Sequence, residues 1–252
     1  MKVLATYNIK GGVGKTATAV NLAWQSAQEG HRTLVWDLDP QGAATFYFRV
    51  TARVKGGGGE LVQRKRELED AVKGTDFAHL DLLPADFSYR NLDLALADTK
   101  RPEKRLEKLL KPLAEDYDVL FLDCPPSISL VSESVFHAAD ALLVPLIPTT
   151  LSLRTFEQLV RHLGEERLVR PLLLPFFSMV DRRRRLHRET VDSLLASEPR
   201  ILRTEIPYAS AVEQMGIRRA PLSSYSPRSS IAQAYERLWA EVKARMVRTE
   251  RL

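Results

Sequence analysis

The stretch Lys10-Gly11-Gly12-Val13-Gly14-Lys15-Thr16 constrains this 252-residue chain more than any other. It follows a short apolar run, Val3–Tyr7, and opens a helical pattern over Thr16–Gln28. Glycines at three of four successive positions let backbone N–H groups turn inward onto one anion. The helix that follows adds its positive N-terminal end to the same place. Lys15 then stands where an ammonium meets phosphate oxygens, and Thr16 where a hydroxyl meets Mg²⁺. The common phosphate-loop spacing asks for glycine five positions before Gly14, where Ile9 stands, and Lys10 is an additional cation.

The rest of the chain repeats the strand–helix alternation. Thr33–Trp36, Leu80–Leu83, Val119–Leu122, Ala141–Pro145 and Leu172–Val180 read as apolar strands. Pro102–Glu115, Ser129–Ala138, Ser152–Leu163 and Arg184–Ala196 read as helices between them. A last helix is expected with Ser226 as its cap, Pro227 in its first turn and an end near Val247. This pattern predicts an α/β fold, a doubly wound and mostly parallel sheet with helices on both faces. The run Lys55-Gly56-Gly57-Gly58-Gly59-Glu60 predicts a mobile loop, because four glycines lose the most entropy on ordering. No repeat or linker divides the chain, and no helix-turn-helix segment precedes the glycine-rich turn. A single domain over 1–252 is therefore expected.

Composition narrows the function. One cysteine, Cys124, excludes a disulfide framework and any site built from several thiolates of one chain. Its expected place is a buried structural one. No run of about 18 apolar residues marks a membrane span, and no signal pattern opens the sequence, so a cytoplasmic protein is expected. The net charge of +5 is unevenly spread. Residues 1–160 carry 19 basic against 21 acidic side chains, a balance of −2; residues 161–252 carry 18 against 11, a balance of +7. Seventeen of those 18 are arginine, whose planar fork suits phosphate. The excess reads either as a polyanion-binding face or as a solvated, arginine-rich surface.

Two strands end in acids. Leu34-Val35-Trp36-Asp37-Leu38-Asp39-Pro40-Gln41-Gly42 follows one; Val119-Leu120-Phe121-Leu122-Asp123-Cys124-Pro125-Pro126-Ser127 is the other. Carboxylates at the C-terminal ends of parallel strands border the ligand crevice of such sheets. Either Asp37 or Asp39 could instead cap the following turn. With the Lys10–Thr16 run, these segments resemble the deviant Walker A, Asp-x-Asp-Pro-Gln-Gly and Asp-x-Pro-Pro motifs of the ParA/MinD ATPases, in particular the ParA/Soj-type partitioning ATPases. The likeness covers most of the chain and is weakest over roughly 46–79 and 164–200.

That resemblance implies ATP and Mg²⁺ as cofactors. It implies a nucleotide cradle of Lys10, Gly11, Gly12, Val13, Gly14, Lys15, Thr16 and Ala17, with Met179 and Pro207 beside the adenine. The family has Thr or Ser where Ala17 stands, so one hydroxyl on the α-phosphate is missing. Thr16, Asp37 and Asp123 would serve the metal. Asp39 would orient the attacking water, Lys15 would hold the phosphates, and Lys10 would reach the nucleotide of a partner subunit. The implied cycle is slow, switch-like ATP hydrolysis. A homodimer forms in the ATP state, binds non-specific DNA and is dismantled with a ParB-like or cargo-adaptor activator. Arg182, Arg183, Arg184, Arg185, Arg188, Arg218 and Arg219 are the candidate DNA contacts, which places the protein at the nucleoid. A MinD-like membrane-cycling ATPase and a P-loop metabolic enzyme or carrier are the alternatives. The tail Lys243–Leu252 is basic but poor in Phe, Trp and Leu, so no stable membrane association is expected.

Overall fold

The computed structural model describes residues 1–165 and 171–250. Strand β1 (Lys2–Thr6) leads into α1 (Lys15–Gln28), and β2 (Thr33–Asp37) into α2 (Ala43–Tyr47) and α3 (Gly57–Val62). Then come β3 (Lys73–Gly74), β4 (Leu80–Leu83), α4 (Leu92–Ala97), α5 (Arg105–Leu110), β5 (Val119–Asp123) and α6 (Leu130–Ala138). The chain continues through β6 (Ala141–Leu146), α7 (Thr150–Glu165), β7 (Leu172–Phe177) and α8 (Arg185–Ser197). Helices α9 (Ser210–Arg218), α10 (Leu222–Tyr225) and α11 (Ser230–Glu250) follow.

The seven strands form one sheet in the order β3-β4-β2-β5-β1-β6-β7. All neighbours are parallel except the short edge strand β3, which runs antiparallel to β4. Side chains alternate across the sheet. On β1, Val3 and Ala5 face the layer that contains α4 to α7, and Leu4 faces the layer of α1, α9, α10 and α11. Both faces are thus covered, as a parallel sheet requires. One amide ties the second layer together: Asn21 on α1 accepts from Leu222 N–H at 2.8 Å and donates to the Ala17 carbonyl and the Met215 sulfur.

Four expectations need correction. The glycine run is not a loose excursion. Gly56 and Gly57 take positive φ (81° and 69°), and Gly57–Val62 is helical. Gly58 N–H donates to Ser88 Oγ at 2.8 Å, and its bare Cα lies against the Tyr89 ring. Here the missing side chains permit close packing, which offsets the entropy of ordering. The expected helix over 102–115 is broken into α5 between two short 3₁₀ turns, because Pro112 cannot continue it. The strand expected to reach Val180 stops at Phe177, and Met179 adopts φ 55°. The last helix starts at Ser230, four residues after Ser226. Ser229 accepts from Ala232 N–H at 3.3 Å and so takes the capping role, while Ser226 is held in the preceding turn. Its far end passes Val247 to Glu250, and Arg251 and Leu252 lie outside the described residues.

Candidate active site at the C-terminal edge of the sheet

β1, β2 and β5 lie side by side, so their ends converge. The β1–β2 pair is joined only through β5 between them, whose register sets Asp123 opposite both Thr6 and Asp37. The glycine-rich turn leaves β1 at this same edge. Asn8 shapes its start: its side chain accepts from Lys10 N–H and donates to the Pro145 carbonyl, both at 2.9 Å. Gly12 (φ 70°) and Gly14 (φ 97°) hold left-handed conformations. At Gly14 a side chain is doubly excluded, since a Cβ would stand 2.9 Å from Ser178 Oγ. Gly14 then passes directly into α1 with no side-chain cap, so the first amides of the helix remain available to an anion.

Lys15 is 7% exposed and folds back to donate to the Lys10 carbonyl at 3.1 Å. Burial lowers its affinity for the proton, against the opposing fields of Asp123 and Asp39. Asp37 and Asp123 are both fully buried. Burial pushes both carboxyls up; the charge of Asp39 raises each further, and that of Asp37 adds to the rise at Asp123. Asp37 is held through one oxygen: Oδ2 accepts from Thr45 N–H at 2.8 Å and from Thr45 Oγ1 at 2.7 Å. Thr45 Oγ1 in turn accepts from Ala85 N–H at 2.8 Å. Asp123 Oδ1 accepts from Thr6 Oγ1 at 3.2 Å, and the Thr16 hydroxyl acts on the same carboxylate. The remaining oxygens, Asp37 Oδ1 and Asp123 Oδ2, are buried without a hydrogen-bond partner.

Two bare carboxylate oxygens beside a threonine hydroxyl suit a hard divalent cation. Mg²⁺ takes one or two carboxylates and completes its octahedron from phosphate and water. That agrees with the lack, among the described residues, of any cluster of three or more His, Cys, Asp or Glu able to hold a metal alone. The residues present therefore fit a Mg²⁺–nucleotide. Asp39 is half-buried at the rim, where its Oδ1 accepts from Gln41 N–H at 2.9 Å. Lys10 is half-buried on the same loop. Cys124 is buried, and burial pushes its thiol well up, so it is inert. The Pro125–Pro126 turn touches the loop, with Pro126 Cγ 3.9 Å from where a Gly11 Cβ would be. It is anchored by Tyr7, whose hydroxyl donates to the Ser127 carbonyl at 2.9 Å.

Met179 and Pro207, far apart in sequence, come together. Val180 N–H donates to the Ile206 carbonyl and Tyr208 N–H to the Val180 carbonyl, a one-residue bridge. Both residues border a cavity of about 70 Å³ that also touches Gly14 and Ala17. The candidate arginines lie elsewhere. Arg182 pairs with both Glu205 and Asp192, Arg183 with Asp181, and Arg185 with Glu189. Arg188 donates to the carbonyls of Arg182 and Arg183. Arg219 stacks over Phe46 and donates to its carbonyl at 3.0 Å. Arg184 and Arg218 make no ion pair among the described residues. Arg167, Arg170 and Arg251, part of the basic excess, lie outside them. Sequence reasoning missed Thr45 and Asn8. Asn8, two residues before Lys10, is the side-chain turn signal that could have been read. Thr45 carries none, because its partner is eight residues away across a turn.

Comparison with known proteins agrees with this geometry. The sequence family described as an AAA domain matches residues 1–168. The sporulation initiation inhibitor protein Soj of Bacillus subtilis is 30% identical, over 96% of this chain and 98% of its own. The chromosome partitioning protein ParA of Caulobacter vibrioides is 32% identical, over 97% of this chain and 95% of its own. Among solved structures, cobyrinic acid a,c-diamide synthase from Mycobacterium smegmatis, with a bound ATP analog and magnesium, superposes with a TM-score of 0.82. It is 27% identical over 95% of this chain and 93% of its own. With a Lys-Gly-Gly-x-Gly-Lys-Thr loop, two buried acids at adjoining strand ends and full-length likeness to Soj and ParA, this chain belongs to the ParA/Soj family of P-loop ATPases.

Proposed function

We propose that this ATPase dimerises with Mg²⁺–ATP, binds DNA without sequence preference in that state, and so positions a DNA or protein cargo. A partner protein accelerates hydrolysis and resets the cycle. The observation that carries the reading is the pair of bare, buried oxygens on Asp37 and Asp123 beside Thr16 and Lys15. A bound nucleotide supplies the scissile phosphoanhydride, and its metal neutralises the charge that develops there. The backbone of Gly11 to Thr16 cradles the phosphates, and Lys15 leaves the Lys10 carbonyl to meet them. Thr16, Asp37 and Asp123 hold the metal. Thr45 keeps Asp37 aimed by occupying its other oxygen. Asp39 orients the attacking water, Lys10 serves the partner subunit's nucleotide, and Met179 and Pro207 flank the base.

DNA contact is supported by Arg184 and Arg218, which have no ion pair among the described residues. It is supported too by Arg183 and Arg185, whose side chains are 88% and 83% exposed. Their surface ion pairs are worth little, about 0–1 kcal/mol, so a phosphate displaces them readily. Arg188 and Arg219 flank these positions. Arg182, with two carboxylate partners, acts instead to brace the loop before α8. Among the described residues no helix is long and apolar enough to cross a membrane.

The test uses Asp39→Ala to hold the ATP state. The variant is titrated with random-sequence DNA and, separately, with anionic liposomes, each with ATP or ADP. ATP-dependent, salt-sensitive DNA binding is expected. Liposome binding alone, or DNA binding indifferent to the nucleotide, would refute the reading.

A further inference from the structure

An open groove of about 520 Å³ lies away from the nucleotide site, between Val50–Lys55 and the segment from Asp70 to Gly74. Its floor is apolar: Val54 and Ala71 are buried and Val50 half-buried. Its walls are cationic, with Arg53, Lys55 and Lys73 exposed against one acid, Asp70. Among the described residues the side chains of Lys55 and Lys73 make no ion pair or hydrogen bond, and the Arg53 side chain lies in the field of Asp86. The groove ends on β3, the outermost strand, whose outer side meets no other strand of the sheet. An unpaired edge is a template for one more strand.

We propose that this groove docks an extended acidic segment of a partner protein. Strand addition supplies main-chain hydrogen bonds, and alternate side chains supply specificity. One set would rest on Val50, Val54 and Ala71, and the other would present carboxylates to Lys55, Lys73 and Arg53. Charge complementarity selects the acidic sequence. Asp70 on the same rim opposes a polyphosphate, and a strand edge matches the alternation of a peptide backbone, which a duplex lacks. The floor is also fastened to the ATPase core. Val54 N–H donates to Asp86 Oδ2 at 2.8 Å, and Ala52 Cβ stands 3.7 Å from where a Gly42 Cβ would be, on the loop that follows Asp39.

The test needs no nucleotide and is independent of the proposed ATP cycle. The full chain, ¹⁵N-labelled, is titrated with an N-acetylated octapeptide of alternating Glu and Val. The Lys–Val counterpart and random-sequence duplex DNA are titrated alongside. Amide shifts confined to residues 50–55 and 70–74, produced by the Glu–Val peptide alone, are expected. The double variant Lys55→Glu/Lys73→Glu should weaken that peptide at least tenfold and admit the Lys–Val peptide. The milder Lys55→Ala/Lys73→Ala should fall between. Absence of shifts, shifts elsewhere, or equal binding by the charge-reversed chain overturns the proposal. Stronger shifts of the same residues by DNA overturn it in favour of a nucleic-acid groove.

Discussion

Gly58 and Gly59 are neighbours in one short helix, yet alanine should act on them with opposite sign. At Gly59 the added Cβ would lie 4.0 Å from Ala95 Cβ, an ordinary contact. Glycine costs a helix about 0.5–1 kcal/mol relative to alanine, so Gly59→Ala should stabilise by that amount. For a chain of this size the melting temperature should rise roughly 1–4 °C. At Gly58 the Cβ would stand 2.6 and 2.8 Å from two Tyr89 ring carbons and 2.9 Å from Leu92 Cδ1. The ring cannot yield freely. Tyr89 is 4% exposed, and its hydroxyl accepts from Trp36 Nε1 at 3.3 Å and donates to the Pro84 carbonyl at 3.2 Å. Overpacking costs about 1–3 kcal/mol, and a clamped neighbour places this site at the upper end. After the propensity gain the net loss should be about 2 kcal/mol, a fall of roughly 4–8 °C. Thermal unfolding of the three proteins by circular dichroism measures both signs at once. Two small shifts of the same sign would refute the packed helix and restore a loose loop.

Further outcomes are expected. Lys15→Ala should abolish nucleotide binding by calorimetry, and retained affinity would remove Lys15 from the cradle. Ala17→Thr should tighten nucleotide binding by up to about tenfold, the worth of one hydrogen bond to a charged phosphate, about 1.5 kcal/mol; unchanged affinity would show that the backbone amide already suffices. The folded state holds the Asp123 proton more tightly than the unfolded chain does. Nucleotide-free stability should therefore fall as pH rises from the ordinary carboxylate range near 4 towards 8. Asp123→Asn should flatten the slope above about pH 6, leaving the part below it that belongs to Asp37, and exceed the wild type at pH 8 in EDTA, whereas parallel curves would contradict the buried charge. Arg184→Ala should weaken DNA binding and reduce the salt slope by about 0.9 without moving the melting temperature. Arg182→Ala should lower the melting temperature by stranding Glu205.

The fold was legible because its signals are local. Each parallel strand is a short apolar run, and the Lys10–Thr16 turn announces both the strand before it and the helix after it. The acids were legible because they end such strands. What stayed hidden depends on distant partners. The glycine run reads as loose until Tyr89 and Ser88 are placed over it. The arginines after Met179 read as one cationic block, whereas Glu205 and Asp192 have already claimed Arg182. Edge strand β3 has two residues, too few to leave a periodic trace. Only family likeness predicts that Met179 and Pro207 meet, since they stand 28 positions apart and the bridge at Val180 has no sequence signature.

The strand order also bears on how the chain is made. β1 and β2 do not touch; β5 fills the seat between them. A growing polypeptide that has emerged only to residue 118 holds two apolar strands with no partner between them, and neither Asp37 nor Thr6 has Asp123 opposite. Contacts this distant in sequence form late, since the loop must close before they repay it. The phosphate turn can thus acquire its final shape only when the central strand arrives from the ribosome. Until then the exposed edges of β1 and β2 are open to other chains. Chaperone engagement during synthesis should therefore fade as residues 119–123 clear the exit tunnel.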